Sequence, residues 1–333
     1  MSEVAVFAPG KLFVIGEYAV LDGGRALVAA VDSGMECHLE PCATGWWLHA
    51  VDFGIDEPLA AVRRETGAGL LAKAVRAGSR TFTRTGPCRV TVQARGHGAD
   101  KKIGLGASAA SVVSILGALA AAEGRDLTSA GVRRALFATA LDIHRDFQRG
   151  HGSGADVAAS VYGGWLDYSV AAGTPRVVAA AVPADLLLDA AWSGLSADTG
   201  AGIEIFDRLR RNRTAGPLVA HLHADLARFW AALATGSRPE LLGALDHYGS
   251  LLADLTRRIA PQRAERMAQL THAAAGHGVV SKSSGAVGGD CVIALGFDRA
   301  GLAAARTSWL HLDATPLGVT IDVAGVRLIE AAG

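Results

Sequence analysis

Lysine is scarce in this chain and selectively placed. Among 32 Lys+Arg there are five lysines, and Lys11, Lys101, Lys102 and Lys282 lie in glycine-rich segments. Arginine serves almost everywhere else, so these four read as positions that require a compact, movable ammonium. The first segment is Ala8-Pro9-Gly10-Lys11-Leu12, running on to Gly16-Glu17-Tyr18. The second is Lys101-Lys102-Ile103-Gly104-Leu105-Gly106-Ala107-Ser108-Ala109-Ala110. The third is Ser281-Lys282-Ser283-Ser284-Gly285-Ala286-Val287-Gly288-Gly289-Asp290. Chains of small residues with a cation beside them suit close approach of the backbone to phosphate.

The second segment carries the sharpest signal. Three small residues at a helix start aim backbone N–H groups at an anion, and the helix dipole adds positive potential. The Walker pattern GxxxxGK[ST] is absent, which argues against a P-loop fold. By itself the segment equally describes a tight strand-to-helix turn, and Lys101-Lys102 tilt the reading toward phosphate. The third segment, with Lys282 and hydroxyls before it, suits a loop that closes over a charged ligand. Between these two lies His151-Gly152-Ser153-Gly154-Ala155-Asp156, a single carboxylate among small neutral residues. Alone, Asp156 reads first as a helix cap or first-turn residue. A small-molecule kinase, however, needs a carboxylate near the acceptor, a cation near the moving phosphoryl and a metal ion. Asp156 and Lys11 meet the first two needs.

The elements that must position these residues follow from pattern. Residues 4–7 and 12–15 read as two strands joined by a turn at Pro9-Gly10. Further strands are expected at 26–31, 46–51, 88–93, 164–170, 177–182, 186–190, 291–296 and 319–323. A buried helix is expected over 108–123 and another over 133–145. Residues 203–213, 218–233, 239–255 and 261–275 read as four successive amphipathic helices, and 300–310 as a later one. A soft boundary falls near residue 180.

Composition narrows the partners. Lys+Arg and Asp+Glu balance at 32 each, which supplies no basic field for nucleic acid and no polybasic face for anionic lipid. Small molecules are the expected partners. Cys37, Cys42, Cys88 and Cys291 show no CxxC spacing, and no apolar leader precedes Val4, so a reduced, cytoplasmic setting is expected. The histidines of the C-terminal half lack ligand spacing and the tryptophans read as packing residues.

Taken in order, PGKLFVIGEYAVL, KKIGLGASAAS, GHGSGADVAASVYGG and SKSSGAVGGDC resemble the motifs of the GHMP small-molecule kinases, from Val4 to the C-terminus. The resemblance implies an α+β, two-domain GHMP kinase fold. Its N-terminal domain, residues 1–180, would be ribosomal protein S5 domain 2-like and carry the ATP phosphate loop and catalytic aspartate. Its C-terminal domain, residues 181–333, would be ferredoxin-like and carry the third motif. The implied reactants are ATP with Mg2+ and a small acceptor, with no nucleic acid and no membrane, and a homodimer is admitted.

Within the family, Gly16-Glu17-Tyr18-Ala19-Val20, Ser160 to Leu166 and Ala191-Trp192-Ser193-Gly194 with Ala197 and Thr199 are most similar to enzymes acting on 5-phosphomevalonate. The implied activity is its ATP-dependent conversion to 5-diphosphomevalonate in the mevalonate pathway of isoprenoid synthesis. Phosphorylation of mevalonate is the alternative, with decarboxylation of diphosphomevalonate and a non-catalytic ligand sensor behind it.

By the same resemblance, Asp156 and Lys11 are the catalytic pair. Lys101, Gly104, Leu105, Gly106, Ala107, Ser108 and Ala109 bind ATP, with the Ser108 hydroxyl also on the metal. Glu17, Lys102, Arg145, Ser153, Gly154, Ser284, Gly285 and Ala286 face the acceptor. Arg145 stands near where mevalonate kinases carry a metal-binding glutamate, and a guanidinium there suits a phosphorylated acceptor. Two departures stand out. Ala107 replaces the first of a usual serine pair, and Val287 replaces a usual glycine, so that loop must take a conformation open to a branched residue or bear strain.

Overall fold

A computed structural model describes residues 3–63, 67–82, 86–96, 103–150, 152–196, 204–208, 216–276 and 278–330. Lys101, Lys102, Ala197 and Thr199 lie outside the described residues. The strands are β1 Val4–Ile15, β2 Arg25–Pro41, β3 Trp47–Ala50, β4 Ile55–Pro58, β5 Cys88–Arg95, β6 Trp165–Ala171, β7 Thr174–Ala179, β8 Leu187–Trp192, β9 Val279–Ser284, β10 Cys291–Gly296, β11 Thr315–Pro316 and β12 Arg327–Ile329. The helices are α1 Gly67–Thr81, α2 Ala107–Ala122, α3 Ala130–Phe147, α4 Ala155–Tyr162, α5 Gly216–Thr235, α6 Arg238–Ile259, α7 Pro261–Ala274 and α8 Arg299–His311.

The chain forms two compact units, and it changes unit more than once. One comprises Met1–Lys11, Ala30–Gly164 and Ile321–Gly333; the other comprises Leu12–Ala29 and Trp165–Thr320. A single boundary near residue 180 therefore does not describe the contacts. The reason is topological: β1 and β2 each run from one unit into the other, and the C-terminal residues return to pair with β1.

In the first unit the sheet order is β12-β1-β2-β5-β3-β4. Its core element is α2, buried from Ala109 through Ala120. Small residues allow this. At Gly117 a Cβ would stand 2.8 Å from Val326 Cγ2 and 3.2 Å from Val6 Cγ1, so glycine permits the close packing. Residues 4–15 form one continuous strand, where two strands and a turn were expected. Pro9 is tolerated because the ladder with β12 covers Ala5 to Phe7, with no strand partner on that side beyond it among the described residues. Gly10 belongs there for a different reason than a turn: a Cβ would meet Ser33 O at 2.5 Å and Leu105 O at 2.6 Å.

In the second unit β6 and β7 form a hairpin whose β6 pairs with Arg25 to Ala29 of β2. A separate antiparallel sheet runs β11-β8-β10-β9. Ala191, Val292 and Ala294 of that sheet join Met267 and Leu270 of α7 and Leu302, Ala305 and Trp309 of α8 in one buried cluster. Trp309 is fully buried and its indole N–H donates to Leu270 O at 3.1 Å. Helices α5, α6, α7 and α8 fall where periodicity placed them. Of the expected 203–213 helix, residues 204–208 are described and are helical.

One expected strand fails. Residues 319–323 contribute only an isolated bridge between Val31 and Ile321. Asp322 accounts for this, because its carboxylate accepts from the N–H groups of Ala324 and Gly325 and so favours a turn over a ladder. The pairing strand comes later, as β12.

Candidate active site

The first unit brings together two of the glycine segments and the lone carboxylate. Lys11 lies on β1, its backbone N–H donating to Leu105 O at 2.7 Å and its Nζ lying 3.4 Å from Gly104 O. Gly106 caps α2 in the left-handed region, φ 83°, with no side-chain cap on the helix among the described residues. The space beside Gly106 is flanked by both expected catalytic residues: a Cβ there would stand 3.1 Å from Lys11 Cγ and 3.6 Å from Asp156 Cβ. Ammonium, carboxylate and the uncapped N-terminus of α2 therefore share one place.

Asp156 occupies the first turn of α4, behind Gly154 at φ 85°. The position is the bland one expected of such an aspartate, yet its neighbours are not. Oδ1 accepts from the Val157 N–H at 2.9 Å, and Oδ2 lies 3.7 Å from His144 Nε2. Ser153 Oγ accepts from the Ala155 N–H at 3.3 Å. Ala107 is exposed, Ser108 half-buried and Ala109 buried at the start of α2. The Ser108 hydroxyl lies 3.1 Å from His144 Nε2.

His144 is the residue that sequence reading missed. It is fully buried, stands between Ser108 and Asp156, and its Nδ1 has no hydrogen-bond partner among the described residues. Attention fell instead on its neighbour Arg145, which the structure places half-buried in the last turn of α3. The helical repeat explains the shift: adjacent residues point about 100° apart, so one residue decides which side chain faces Asp156. Among the described residues no group of three or more His, Cys, Asp and Glu is arranged to hold a metal ion.

The third segment and Glu17 lie in the second unit. Lys282, on β9, does not reach outward to a ligand. Its side chain is 0% exposed and its Nζ donates to Glu17 Oε1 at 2.6 Å and to Ser283 O at 2.7 Å. Glu17, expected to face the acceptor, is 2% exposed, and the same oxygen accepts from the Gly285 N–H at 3.4 Å. Glu17 Oε2 is buried with no partner among the described residues.

The pair is built in tightly. A Cβ at Gly249 of α6 would stand 2.9 Å from Lys282 Cβ. The Tyr248 hydroxyl donates to Glu17 O at 2.7 Å, and burial pushes the Tyr248 phenol well above its ordinary pKa, which keeps it a donor. Tyr18, next to Glu17, holds φ 63°, rare for an aromatic residue, and its ring packs on Phe206 at 4.5 Å between centroids. Strain of this kind persists where surrounding contacts over-determine it, and such places cluster at functional sites.

Ser284 ends β9, its hydroxyl donating to Phe13 O at 3.0 Å, and Ala286–Gly288 form a 3-10 turn. Positive φ falls on Gly285 (103°), Gly288 (77°) and Gly289 (67°). Gly289 is required in its own right, since a Cβ would stand 1.8 Å from Ser284 O.

Sequence reading also missed two arginines of α7. Arg263 donates to Ser196 O at 2.8 Å and Gly289 O at 2.5 Å, and Arg266 donates to Ser193 O at 3.1 Å. Burial lowers the Arg263 pKa while Asp290 opposes that effect.

Three comparisons bear on this arrangement. Residues 69–164 match the family model described as GHMP kinases N terminal domain. A phosphomevalonate kinase of Streptomyces sp. (strain CL190) is 29% identical over 370 residues, covering 96% of this chain and 97% of that protein. Among solved structures, the Lin0012 protein from Listeria innocua superposes with a TM-score of 0.81 at 20% identity, over 99% of this chain and 100% of that one. Streptococcus pneumoniae phosphomevalonate kinase in complex with phosphomevalonate and AMPPNP does so at 0.74 and 21% identity, again over 99% and 100%. These two likenesses establish the two-domain α+β fold.

Proposed function

We propose that this chain, whose residues 69–164 match the GHMP kinases N terminal domain, is a GHMP kinase that transfers the γ-phosphoryl group of ATP to 5-phosphomevalonate, giving 5-diphosphomevalonate and ADP. The observation that carries the chemistry is the convergence of Lys11 and Asp156 on Gly106, at the uncapped N-terminus of α2. The acceptor rests on near full-length similarity to the Streptomyces enzyme.

In this reading the N–H groups of Ala107, Ser108 and Ala109 hold nucleotide phosphate, assisted by the helix dipole. Lys11 neutralises charge building on the transferred group. Asp156 orients the attacking oxygen. A phosphomonoester, with a second pKa of about 6, is largely ionised at neutral pH, so screening of like charges matters more than removal of a proton. Gly104 and Leu105 shape the loop that receives Lys11, and Ser153 and Gly154 set the start of α4 that presents Asp156. Ser284, Gly285 and Ala286 serve the acceptor through the backbone of the glycine loop.

A magnesium ion fits the donor set modestly: the Ser108 hydroxyl and Asp156 carboxylate supply one or two oxygens, the number Mg2+ commonly takes from protein when phosphates and water supply the rest. When bound it would neutralise phosphate charge.

The test is ADP release with Mg-ATP, comparing (R)-5-phosphomevalonate with (R)-mevalonate, then repeating the better acceptor on Asp156→Asn. Turnover with phosphomevalonate that falls by roughly 10²–10⁴-fold in the variant is expected. Preference for mevalonate, or activity that survives the substitution, refutes the assignment.

A further inference from the structure

Arg263 is placed against its local preference. It lies in the first turn of α7, at the positive end of the helix dipole, where a cation is disfavoured. Its side chain is only 11% exposed. What it gains is two carbonyls from different segments: Nη1 donates to Ser196 O at 2.8 Å and Nη2 to Gly289 O at 2.5 Å. Asp290 Oδ1 lies 3.6 Å away. One turn further on, Arg266 Nε donates to Ser193 O at 3.1 Å. The two segments are also tied to each other, since the Ser193 N–H and hydroxyl both donate to Asp290 O, at 2.9 and 2.8 Å.

We propose that Arg263 is a positioning residue that fixes the 193–196 segment and the 285–290 glycine loop in one register, and thereby sets affinity for the phosphorylated acceptor. The proposal deepens the functional reading above and rests on it for the identity of the acceptor. A planar, five-donor guanidinium spans two carbonyls in fixed directions, whereas an ammonium on a flexible stem meets one of them. Arg263→Lys therefore retains charge and loses the bridge. A role in simple packing would be satisfied by the long aliphatic stem of either residue.

The experiment uses the full chain. Hydrogen–deuterium exchange of ligand-free protein follows the 191–196 and 285–290 peptides in wild type, Arg263→Lys and Arg263→Gln, and initial rates are measured with phosphomevalonate and Mg-ATP varied separately. Both peptides should exchange about tenfold faster in the variants, the equivalent of one charge-assisted hydrogen bond. The KM for phosphomevalonate should rise about tenfold while that for ATP stays within about threefold. Unchanged exchange in Arg263→Lys overturns the proposal, and so does an equal rise in both KM values. If Arg263→Gln fails to fold, Arg263→Lys gives both readouts. A wild type that turns over no phosphomevalonate refutes the functional reading, while the exchange data still decide the clamp.

Discussion

Lys282→Met should be among the most destabilising single substitutions in the second unit, and the reason lies in what it leaves behind. At 2.6 Å and an effective dielectric constant of about 20, the attraction between Lys282 and Glu17 is about 6 kcal/mol. Desolvating each ion costs several kcal/mol, so the intact pair contributes little net stability. Removing the ammonium strands the Glu17 carboxylate, of which Oε2 already lacks a partner among the described residues. The Gly285 N–H at 3.4 Å offers little compensation. A loss of about 3–5 kcal/mol is expected.

Glu17→Gln combined with Lys282→Met removes both charges and keeps an oxygen near Gly285. That double variant should be more stable than Lys282→Met alone, with a coupling energy of at least about 1 kcal/mol. Urea unfolding followed by tryptophan fluorescence measures all four corners of the cycle. A Lys282→Met variant within about 1 kcal/mol of wild type, or additive single effects, would refute the reasoning that this lysine is structural.

Three further outcomes follow from particular geometries. Burial raises the pKa of Asp167, but hydrogen bonds from Arg25 and Arg176 outweigh it and leave the carboxyl below its ordinary value of 3.8. Its stabilising contribution is present above that value and lost as pH falls through the lower folded pKa. The stability gap between wild type and Asp167→Asn should thus be widest near neutrality and close in acid, as denaturant midpoints across pH will report. Gly106→Ala should cost about 1–2 kcal/mol for the left-handed backbone and push Lys11 aside, so that thermal stability falls and the KM for ATP rises. On the family resemblance, and not on a contact described above, Arg145→Ala should weaken phosphomevalonate more than ATP in initial-rate kinetics, and equal losses would remove Arg145 from acceptor recognition.

Much of the candidate site's local geometry was legible in sequence because it depends on short-range constraints. Gly106 and Gly154 are glycines before short apolar runs, and each opens a helix from a left-handed residue that few side chains adopt. Asp156 was recognisable by its isolation among small neutral neighbours, and α2 by a proline-free run of small apolar residues. The periodicity of α5 to α8 held because a buried stripe on a helix leaves a repeat in the chain itself.

What the chain did not disclose were relations between residues far apart in sequence. The lysines of the first and third segments look alike, each lying in a segment that carries glycine. Only folding separates their roles, leaving Lys11 half-buried beside Gly106 and sealing Lys282 against Glu17, 265 residues away. His144 carried no signal beyond its neighbours, because the rotation of α3 against α2 and α4 decides that it, and not Arg145, meets Ser108 and Asp156. Pro9-Gly10 has the form of a turn, yet β1 runs straight through it, since close approach by Ser33 and Leu105 excludes a side chain there. Composition and spacing determine which residues can do chemistry. Which charges are solvated and which are paired is settled by packing, because burial makes an unpaired charge too costly to leave alone.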